Sequence, residues 1–368
     1  MAARANKKGK QRVKIIIFLI EILIILAMLL VVWKVFETTD KTEGPHMVTI
    51  EESDIIINSE VKENLENKET TAEDVKMKGY WNIALFGVDA VKTDQLYKGS
   101  RSDSIMIASV NMDTGEIKLV SVYRDTYLNK GNDKYGKCNG AYAANGAKQA
   151  MSMLNLNMDL AITDFVTVGY NAVKECVDGL GGVWIDIDSA ELEHINNYQL
   201  SIIRDTDIPQ SEYEPVTTTG KQLLNGLQAT AYCRIRYTKG DDYKRAERQR
   251  EVLKAMEEQA KKMGLGDLTD LLPKVLKYVY TSIDETDMVE LLKNINKYSI
   301  VDEGGFPTED MRDSNTIGSN GSCVVPVDLE DNVVWLHEFL FGEENYQVSA
   351  AVQECSKRIK VDTAPYLK

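Results

Sequence analysis

A long apolar run close to the N-terminus divides this chain into parts with different surroundings. Residues 15–33, IIIFLIEILIILAMLLVVW, contain one charged side chain, Glu21, and a helix of that length spans a hydrocarbon core of about 30 Å. Residues 1–14 carry six lysines and arginines and no acidic residue, which predicts a cytoplasmic N-terminus. We therefore predict a cytoplasmic tail (1–14) and a transmembrane signal anchor (15–36) in a single-pass protein of the cell membrane, with all later residues outside the cell.

A cleaved signal peptide is the alternative interpretation of the same run. The apolar stretch is longer than the usual core of a signal peptide, and bulky side chains stand in VVWKVF, where cleavage requires small ones. These two features favour the anchor.

The next segment, residues 37–78, is acidic and polar, with one apolar patch, DIIIN. This composition predicts an extracellular stalk that holds a domain away from the membrane, with a helix at about 59–76. The alternative is that the segment belongs to the folded domain.

From Gly79 onward, apolar runs typical of strands alternate with helical patterns. WNIALFGVD, ITDFVTVGY and GGVWIDID have the character of buried strands, and SIMIASVNMDTGEIKLVSV that of a hairpin around a turn rich in Asn, Asp and Gly. CNGAYAANGAKQAMSMLNL, NAVKECVDGL and YKRAERQREVLKAMEEQAKKMG have helical spacing. The alternation predicts an α/β domain over residues 79–300, with a central mixed β-sheet flanked by α-helices.

Two segments lack this alternation. Residues 189–222 are polar and irregular, and we expect an insertion or a lid there. Residues 301–368 show one helical pattern, near DNVVWLHEFLFG. We expect a loop-rich C-terminal segment, and its packing on the domain stays open.

The overall composition excludes some classes of function. A net charge of −14 argues against a nucleic-acid partner, because such proteins present a basic surface to the phosphates. The five cysteines form no CxxC pair and no zinc spacing, and the three histidines are scattered. Cys323 and Cys355 are the pair that could be bridged in an exported protein.

Positive charge is nevertheless concentrated in one stretch, residues 234–249, which holds six lysines and arginines in sixteen positions. The planar fork of arginine matches phosphate oxygens. Asp242, Arg245 and Gln249 recur at intervals of three and four, so a helix would place them on one face. An anion site is one interpretation, and a solvated helix surface with partners such as Glu247 is the other.

Charged residues also stand at both ends of the predicted hairpin. RSDS, with Arg101 and Asp103, opens its first strand, and YRDT, with Arg124 and Asp125, closes its second. Since these two ends lie side by side in a tight hairpin, Asp103 and Arg124 are predicted neighbours. Ligand sites of α/β sheets cluster at strand ends, which favours a binding site over a solvated rim.

Six segments carry a resemblance to a known family. In chain order they are WNIALFGVD, RSDSIMIASVNMDTGEIKLVSVYRDT, CNGAYAANGAKQAM, VDGLGGVWIDI, LNGLQATAYCRIRY and DDYKRAERQREVL. Over about residues 80–300 the chain resembles the LytR-CpsA-Psr (LCP) family of Gram-positive extracytoplasmic ligases. The resemblance implies transfer of a glycopolymer (teichoic acid, or capsular or secondary wall polysaccharide), as its phosphate ester, from undecaprenyl pyrophosphate to a peptidoglycan acceptor.

The resemblance also implies roles for individual residues. Asp103 corresponds to the carboxylate that coordinates Mg²⁺, Arg101 and Arg124 to arginines at the pyrophosphate, and Asp125 to a residue that assists with metal or proton. The further pyrophosphate-binding residues implied are Arg234, Arg236, Asp242, Arg245, Arg248 and Gln249. The segment before Asp242 is about one residue shorter than the family pattern, so Asp241 competes for the same role.

The chemistry of such a transfer agrees with these residue types. Attack on phosphorus builds negative charge on oxygen, which arginines and a divalent cation stabilise, and Mg²⁺ needs only one or two carboxylates. Asp103, Asp125 and Asp242 remain candidates for the general base that the acceptor hydroxyl requires. The lipid tail needs an apolar slot, and the side chains that could line it, or belong to an ordinary core, are Ile105, Ile107, Leu119, Val166, Val168 and Val183.

Two other functions fit the same residues. A polyprenyl-pyrophosphate phosphatase would use the same site with water as acceptor, and a non-catalytic anchor or regulator would bind wall polymer without turnover. Asp103 and Arg124 occur together with the whole arginine set. This favours an enzyme, because a binder without turnover is expected to have lost some of them.

Overall fold

A seven-stranded mixed sheet forms the centre of the fold. The computed structural model describes residues 46–67, 69–72, 75–90, 93–97 and 99–367. The strands of the sheet are β1 (His46–Met47), β2 (Tyr80–Val88), β3 (Ser102–Asn111), β4 (Glu116–Val122), β7 (Asp164–Val168), β10 (Val279–Thr281) and β11 (Ser299–Phe306). Their order is β1-β10-β7-β2-β3-β4-β11. The pairs β1/β10, β7/β2 and β4/β11 are parallel and the others antiparallel, which confirms the predicted central mixed sheet.

The predicted hairpin is the β3–β4 pair. Asn111 Oδ1 accepts hydrogen bonds from the backbone N–H groups of Asp113 and Thr114, both at 3.0 Å. Gly115 follows with φ +80°, a conformation that glycine adopts without strain. This turn fixes the register, so the start of β3 and the end of β4 reach the same edge of the sheet.

Helices cover both faces of the sheet. They are α1 (Ser59–Glu66), α2 (Gly140–Met158), α3 (Tyr170–Gly179), α4 (Ser189–Asp205), α5 (Gly226–Tyr232), α6 (Asp241–Ala260), α7 (Leu265–Leu276), α8 (Glu285–Lys293), α9 (Leu329–Phe341) and α10 (Ala350–Thr363). The main core lies between α2, α9 and α10 and one face of the sheet, where Phe86, Ile107 and Val120 are at most 1% exposed. On the other face Ile83 and Val110 pack with Met288 of α8.

Residues 183–224 differ from the prediction in two ways. The strand predicted at GGVWIDID is β8 (Val183–Ile187), but it pairs with β9 (Gly220–Leu224) in a separate two-stranded sheet. The segment expected to be irregular contains α4, whose first turn is capped by Asp188 and Glu191. Ile195 and Ile202, seven residues apart, are both fully buried against this small sheet, and that apolar pair stabilises a helix in an otherwise polar sequence.

The predicted stalk also needs correction within its described part. Its helix α1 ends at Glu66 rather than near residue 76, and β1 joins the edge of the central sheet. Ile55 and Val61 are buried in the main core. These apolar residues need a partner surface, and the domain provides one, so residues 46–67 are part of the folded domain.

The predicted tail and signal anchor, together with residues 37–45, lie outside the described residues. Within the described ranges, no helix is both long and apolar enough to cross a membrane.

The C-terminal segment is not loop-rich. It contains β11, a two-stranded sheet of β12 (Arg312–Thr316) and β13 (Ser322–Pro326), and helices α9 and α10. Leu336 and Leu340 of α9 and Val352 of α10 are fully buried in the main core. A further two-stranded sheet joins β5 (Tyr127–Asn129) to β6 (Tyr135–Lys137). All five cysteines are free, so Cys323 and Cys355 are not bridged.

Candidate active site

Three elements meet at a pocket at the edge of the central sheet. The start of β3, the end of β4 with the turn after it, and the N-terminal half of α6 form its walls. The lining residues are Asp103, Ser104, Ile105, Ser121, Val122, Tyr123, Arg124, Asp242, Arg245, Ala246 and Gln249. The pocket therefore lies where the sequence predicted a ligand site, and it unites the hairpin ends with the arginine-rich stretch.

Arg124 occupies the centre of the charged side chains. Its Nη1 donates to Asp103 Oδ1 at 2.8 Å, and its Nε donates to Asp242 Oδ2 at 3.3 Å. Burial opposes the charged form, but Asp103 and Asp242 outweigh it and raise the pKa of Arg124. The predicted Asp103–Arg124 contact is confirmed, and Arg124 stays charged at any working pH.

Asp242 brings the arginine-rich stretch to this centre. Its Oδ1 lies 3.1 Å from Arg236 Nε and 3.3 Å from Arg245 Nη1. Asp241, its competitor from the sequence, is exposed and has φ +42° at the start of α6. It is Asp242, one residue further into the helix, that faces Arg124.

Arg245 and Gln249 lie deeper on the same helix face. Arg245 Nη2 donates to the backbone oxygen of Asp103 at 2.9 Å, and Gln249 Nε2 donates to the Cys233 oxygen at 3.3 Å. Burial, with Arg124 and Arg236 nearby, lowers the pKa of Arg245, while Asp242 and Asp103 act in the opposite direction. The positive charges of Arg245, Arg124 and Arg236 repel one another at this distance, and a bound anion would reduce that repulsion.

Arg234 lies on an aromatic platform beside the pocket. Its guanidinium carbon is 4.5 Å from the ring centre of Tyr170 and 5.6 Å from that of Tyr198. Its Nη1 is buried without a hydrogen-bond partner within the described part of the chain. A buried unpaired donor on a cation is costly, and a phosphate oxygen would satisfy it.

Arg248 does not reach the pocket, contrary to the role implied for it. Its Nε donates to Glu191 Oε1 at 2.7 Å, Nη1 to the Ile235 oxygen at 3.2 Å and Nη2 to Thr238 Oγ1 at 2.8 Å. The side chains of Arg248 and Glu191 are 1% and 3% exposed. Each guanidinium nitrogen makes one hydrogen bond, so Arg248 holds the loop that carries Arg234 and Arg236, and it does not line the pocket.

Arg101 and Asp125 occupy the margins of the site. Arg101 is exposed, and no hydrogen bond or ion pair joins it to another of the described residues. Asp125 lies 3.9 Å from Arg124 Nε and 3.3 Å from Lys137 Nζ. Asp125 thus balances the charges of Lys137 and Arg124 behind the pocket.

Comparisons with known proteins identify the fold and its family. The LytR_cpsA_psr family profile matches residues 48–325. The chain belongs to the LytR-CpsA-Psr family. It is 30% identical over 262 residues to the polyisoprenyl-teichoic acid–peptidoglycan teichoic acid transferase TagU of Enterococcus faecalis, covering 70% of this chain and 74% of that protein. It is also 30% identical over 246 residues to biofilm regulatory protein A of Streptococcus mutans, covering 61% and 57% of the two chains.

A solved LCP structure, the "LytR-CPS2A-psr family protein YwtF (TagT) with bound octaprenyl pyrophosphate lipid", has the same fold. It superposes with a TM-score of 0.51 at 18% identity, over 82% of this chain and 95% of that one. The mixed α/β architecture predicted from the sequence is therefore that of the LCP family.

Asp89 stands close enough to Asp103, Arg124 and Arg245 for their charges to act on it, and the sequence pattern did not single it out. It follows β2, next to β3, and a Cβ on Gly87 would lie 2.9 Å from Cβ of Ser104, so glycine allows the two strand ends to approach. Partial desolvation and the negative charge of Asp103 raise the pKa of Asp89, although its side chain keeps contact with solvent. The signal was present in the sequence, since WNIALFGVD ends in a carboxylate at a strand end.

The residues present are suited to the Mg²⁺ that the family implies. Among the described residues, no three His, Cys, Asp or Glu side chains come together as a closed metal site. Asp103 is 34% exposed, and only its Oδ1 is hydrogen-bonded within that part of the chain. One open carboxylate oxygen beside an anion pocket suits Mg²⁺, which commonly takes one or two carboxylates, substrate phosphates and waters.

Of the six apolar residues considered for a lipid slot, Ile105 lines the pocket of the candidate active site, and Leu119 is buried at 2% exposure. Ile105 and Ile107 belong to the main core, Val183 to the core around β8 and β9, and Val166 and Val168 pack with α7. The side chains that belong to these clusters are thus distributed over three separate parts of the domain.

Proposed function

We propose that this protein transfers a glycopolymer, as its phosphate ester, from a polyprenyl pyrophosphate carrier to peptidoglycan. The observation that carries the proposal is the convergence of Arg124, Arg236 and Arg245 on Asp242, in the wall of a pocket that also contains the open carboxylate of Asp103. Such a set of cations is suited to a pyrophosphate and to the charge that develops when it is cleaved.

The comparisons support this reaction class. The Enterococcus relative is named as a transferase that acts on polyisoprenyl-linked teichoic acid and peptidoglycan, and the YwtF structure holds octaprenyl pyrophosphate. By analogy we propose undecaprenyl pyrophosphate as the carrier, with teichoic acid or capsular or secondary wall polysaccharide as cargo. Residues 15–36 would then anchor the protein in the cell membrane, with the active site outside the cell.

The proposed reaction is a single displacement at phosphorus. The oxygen of an acceptor hydroxyl forms a bond to the phosphorus that bears the saccharide, and the bond to the bridging oxygen of the pyrophosphate breaks. Polyprenyl phosphate leaves, and the saccharide becomes joined to the acceptor through a phosphodiester. Arg124 and Arg245 would neutralise the charge that builds on the nonbridging oxygens and on the leaving phosphate. Mg²⁺, held by Asp103, would supply further charge neutralisation at the phosphates.

The contacts distinguish among the carboxylates that could accept the proton of the hydroxyl. Asp242 is paired with three arginines and Asp125 with Lys137 and Arg124, so both carboxylates are engaged by cations, whereas no ion pair joins Asp89 to another of the described residues. Asp89 lies at the same strand ends, and desolvation, with the charge of Asp103, raises its pKa even though Arg234, Arg124 and Arg245 act in the opposite direction. A raised pKa improves a carboxylate as a general base, so we propose Asp89 for this step.

A transfer assay tests the proposal. The full chain in detergent micelles is incubated with a polyprenyl pyrophosphate-linked saccharide and peptidoglycan oligomers, with Mg²⁺ or with EDTA. We expect Mg²⁺-dependent appearance of saccharide phosphate on the oligomer, and its loss in the variant Asp103→Asn. Release of lipid phosphate without an adduct would indicate a phosphatase, and tight donor binding without turnover would indicate an anchor or regulator.

The role of Asp89 is tested by the pH dependence of the same reaction. With wild type, the rate should fall as the pH drops through the raised pKa of Asp89, because the base becomes protonated. In Asp89→Asn the rate should be low and this acidic limb absent. An unchanged pH profile would remove Asp89 from the mechanism.

A further inference from the structure

We infer that Arg312, Tyr123 and Tyr243 form a second binding position, beside the pyrophosphate pocket, for an anionic group on a bound saccharide. This inference rests on the proposed transfer reaction and specifies where one of its saccharides is held. We refer to these three residues as the Arg312 cluster.

The Arg312 cluster is built from three separate parts of the chain. Arg312 opens β12 in the C-terminal segment, Tyr123 precedes Arg124, and Tyr243 follows Asp242 on α6. The guanidinium carbon of Arg312 lies 3.9 Å from the ring centre of Tyr243 and 5.0 Å from that of Tyr123. The two rings meet edge to face at 4.6 Å. Two of its members are thus chain neighbours of the residues that form the charged centre of the pocket.

One edge of the Arg312 guanidinium is used and the other is open. Nη1 donates to Tyr123 Oη at 3.3 Å and to the Pro307 oxygen at 3.2 Å. Nε and Nη2 make no hydrogen bond within the described residues, and neither is among the buried unpaired atoms of that part of the chain. These two nitrogens form the edge of arginine that binds a carboxylate or phosphate through two parallel hydrogen bonds.

The charge of Arg312 has no carboxylate partner among the described residues. Its neighbours are two aromatic rings and two neutral oxygens. Arg358 provides a contrast, because it also lies over a tyrosine ring, Tyr135, but is paired with Asp362 at 2.9 Å. Arg358 thus has a counter-ion, whereas Arg312 retains both its charge and its binding edge for a ligand.

The position of the cluster indicates which part of the reaction it serves. Arg234, with Tyr170 and Tyr198, lies toward α3 and α4, whereas the Arg312 cluster lies toward β12. Tyr123 forms part of the pocket wall, so a group held by Arg312 would be adjacent to the reacting phosphate. The proposed reaction brings two saccharides to this position. They are the acceptor peptidoglycan, which carries carboxylates, and the donor polymer, which carries repeating phosphates. Carboxylates and phosphates both present two oxygens that match the Nε and Nη2 donors of Arg312.

The test uses two variants of the full chain in micelles. Arg312→Lys keeps the charge and removes the two-nitrogen edge, and Arg312→Gln removes the charge. Donor and acceptor concentrations are varied separately in the transfer assay. Acceptor oligomers are used with free carboxylates or as methyl esters, and donors with a neutral saccharide or a phosphate-bearing polymer. Arg358→Gln is the matched control, since it removes an arginine that also lies over a tyrosine ring.

We expect the KM for the carboxylated acceptor to rise about tenfold in Arg312→Gln, the scale of losing one charged contact at a partly exposed site. The esterified acceptor should bind wild type and variant alike, and the KM for the neutral donor should not change. A rise confined to the phosphate-bearing donor would assign the same site to the donor polymer. Equal KM values for all substrates in wild type and variant would overturn the inference.

A binding experiment separates this inference from the transfer reaction itself. Carboxylated peptidoglycan oligomers are titrated into wild type and Arg312→Gln without donor, by calorimetry. If wild type shows no transfer but binds these oligomers more tightly than the variant, the proposed function fails and the binding position stands. If transfer occurs and the oligomers bind both proteins equally, with unchanged KM values, the binding position fails alone. The thermal unfolding of each variant shows whether the fold is retained.

Discussion

Helix α6 carries two ion-pair centres that differ in their access to a ligand. At its N-terminal end Asp242 meets Arg124, Arg236 and Arg245, with side-chain exposures of 25% for Asp242, 14% for Arg124 and 37% for Arg236. Six residues further along the helix, Arg248 meets Glu191, and both are almost completely buried. The first centre gathers three arginines around Asp242 and opens into the pocket, whereas the second has one cation and one carboxylate and is closed.

The difference shows how one arginine-rich helix can serve both stability and binding. A closed pair with every nitrogen occupied contributes rigidity, and removing one partner leaves a buried charge. In the open centre, burial and the neighbouring arginines lower the pKa of Arg245, and a bound anion would offset that repulsion. Arg248 stabilises the loop that presents Arg234 and Arg236, so the closed pair positions the open centre.

The largest effect on stability is expected from breaking the closed pair. Arg248→Ala leaves the buried carboxylate of Glu191 without its cation, which should lower the free energy of unfolding by about 3–5 kcal/mol. Chemical denaturation measures the change. Arg358→Ala, in an exposed pair with Asp362, is the control and should cost less than about 1 kcal/mol.

The double variant Arg248→Met with Glu191→Leu sharpens this result. Replacing both charges with apolar groups should recover part of the loss, but not all of it, because Glu191 Oε2 also accepts the Asp188 N–H at 3.0 Å and caps α4. If Arg248→Ala unfolds no more easily than Arg358→Ala, the pair is not the structural centre that its burial indicates.

The largest effect on activity is expected from the open centre. Arg124→Ala should lower the transfer rate by about 10²–10³-fold, the scale of losing one preorganised donor to a developing charge. Arg124→Lys should recover little, because a single ammonium cannot reach Asp103 and Asp242 with two separate nitrogens. Unlike Arg248→Ala, neither variant should greatly lower stability. Transfer at more than a tenth of the wild-type rate in Arg124→Ala would contradict the central role of this residue.

A smaller effect is expected at the exposed side of the open centre. Arg236 lies 3.1 Å from Asp242, and Arg236→Gln should weaken donor binding about tenfold, or about 1.4 kcal/mol. The binding of a fluorescent polyprenyl pyrophosphate measures this. Arg204→Gln is the control, since Arg204 is 75% exposed and pairs with its neighbour Asp205. Equal affinities for both variants would exclude Arg236 from the anion site.

The sequence was sufficient to predict the parts of the site that depend on local geometry. The turn around Asn111 fixes the hairpin, which brings Asp103 to Arg124, and helical spacing brings Arg245 to the face of Asp242. Both relations span short or regular connections, so the residue spacing alone determines them.

The incorrect binding role implied for Arg248 followed from the incorrect structure predicted for residues 189–222. Its partner, Glu191, lies in the segment interpreted as an irregular insertion, and only the helix α4 brings that carboxylate to α6. The packing of residues 46–67 and of the C-terminal segment on the domain could not be predicted from the sequence either. Asn58 donates to Asp159 Oδ1 at 2.5 Å, and the Ser349 N–H donates to Oδ2 at 2.7 Å. Contacts between residues so far apart leave no periodic pattern in the sequence.

The smallest predicted effect is a change in stability in Asp89→Asn. We expect this variant to be slightly more stable than wild type, whereas Arg248→Ala should be less stable. Desolvation and Asp103 raise the pKa of Asp89 in the folded protein above its value in the unfolded chain. The folded state therefore binds this proton more tightly, and its contribution to stability is present at low pH and lost as the pH rises through the raised pKa. At neutral pH the ionised Asp89 opposes folding, so Asp89→Asn should raise the melting temperature slightly while it impairs transfer.

Thermal melts of both proteins from acidic to neutral pH measure the difference, which should vanish below the pKa of an ordinary aspartate. A lower melting temperature for Asp89→Asn at neutral pH would mean that the ionised Asp89 carboxylate stabilises the fold, as Glu191 does in the closed pair.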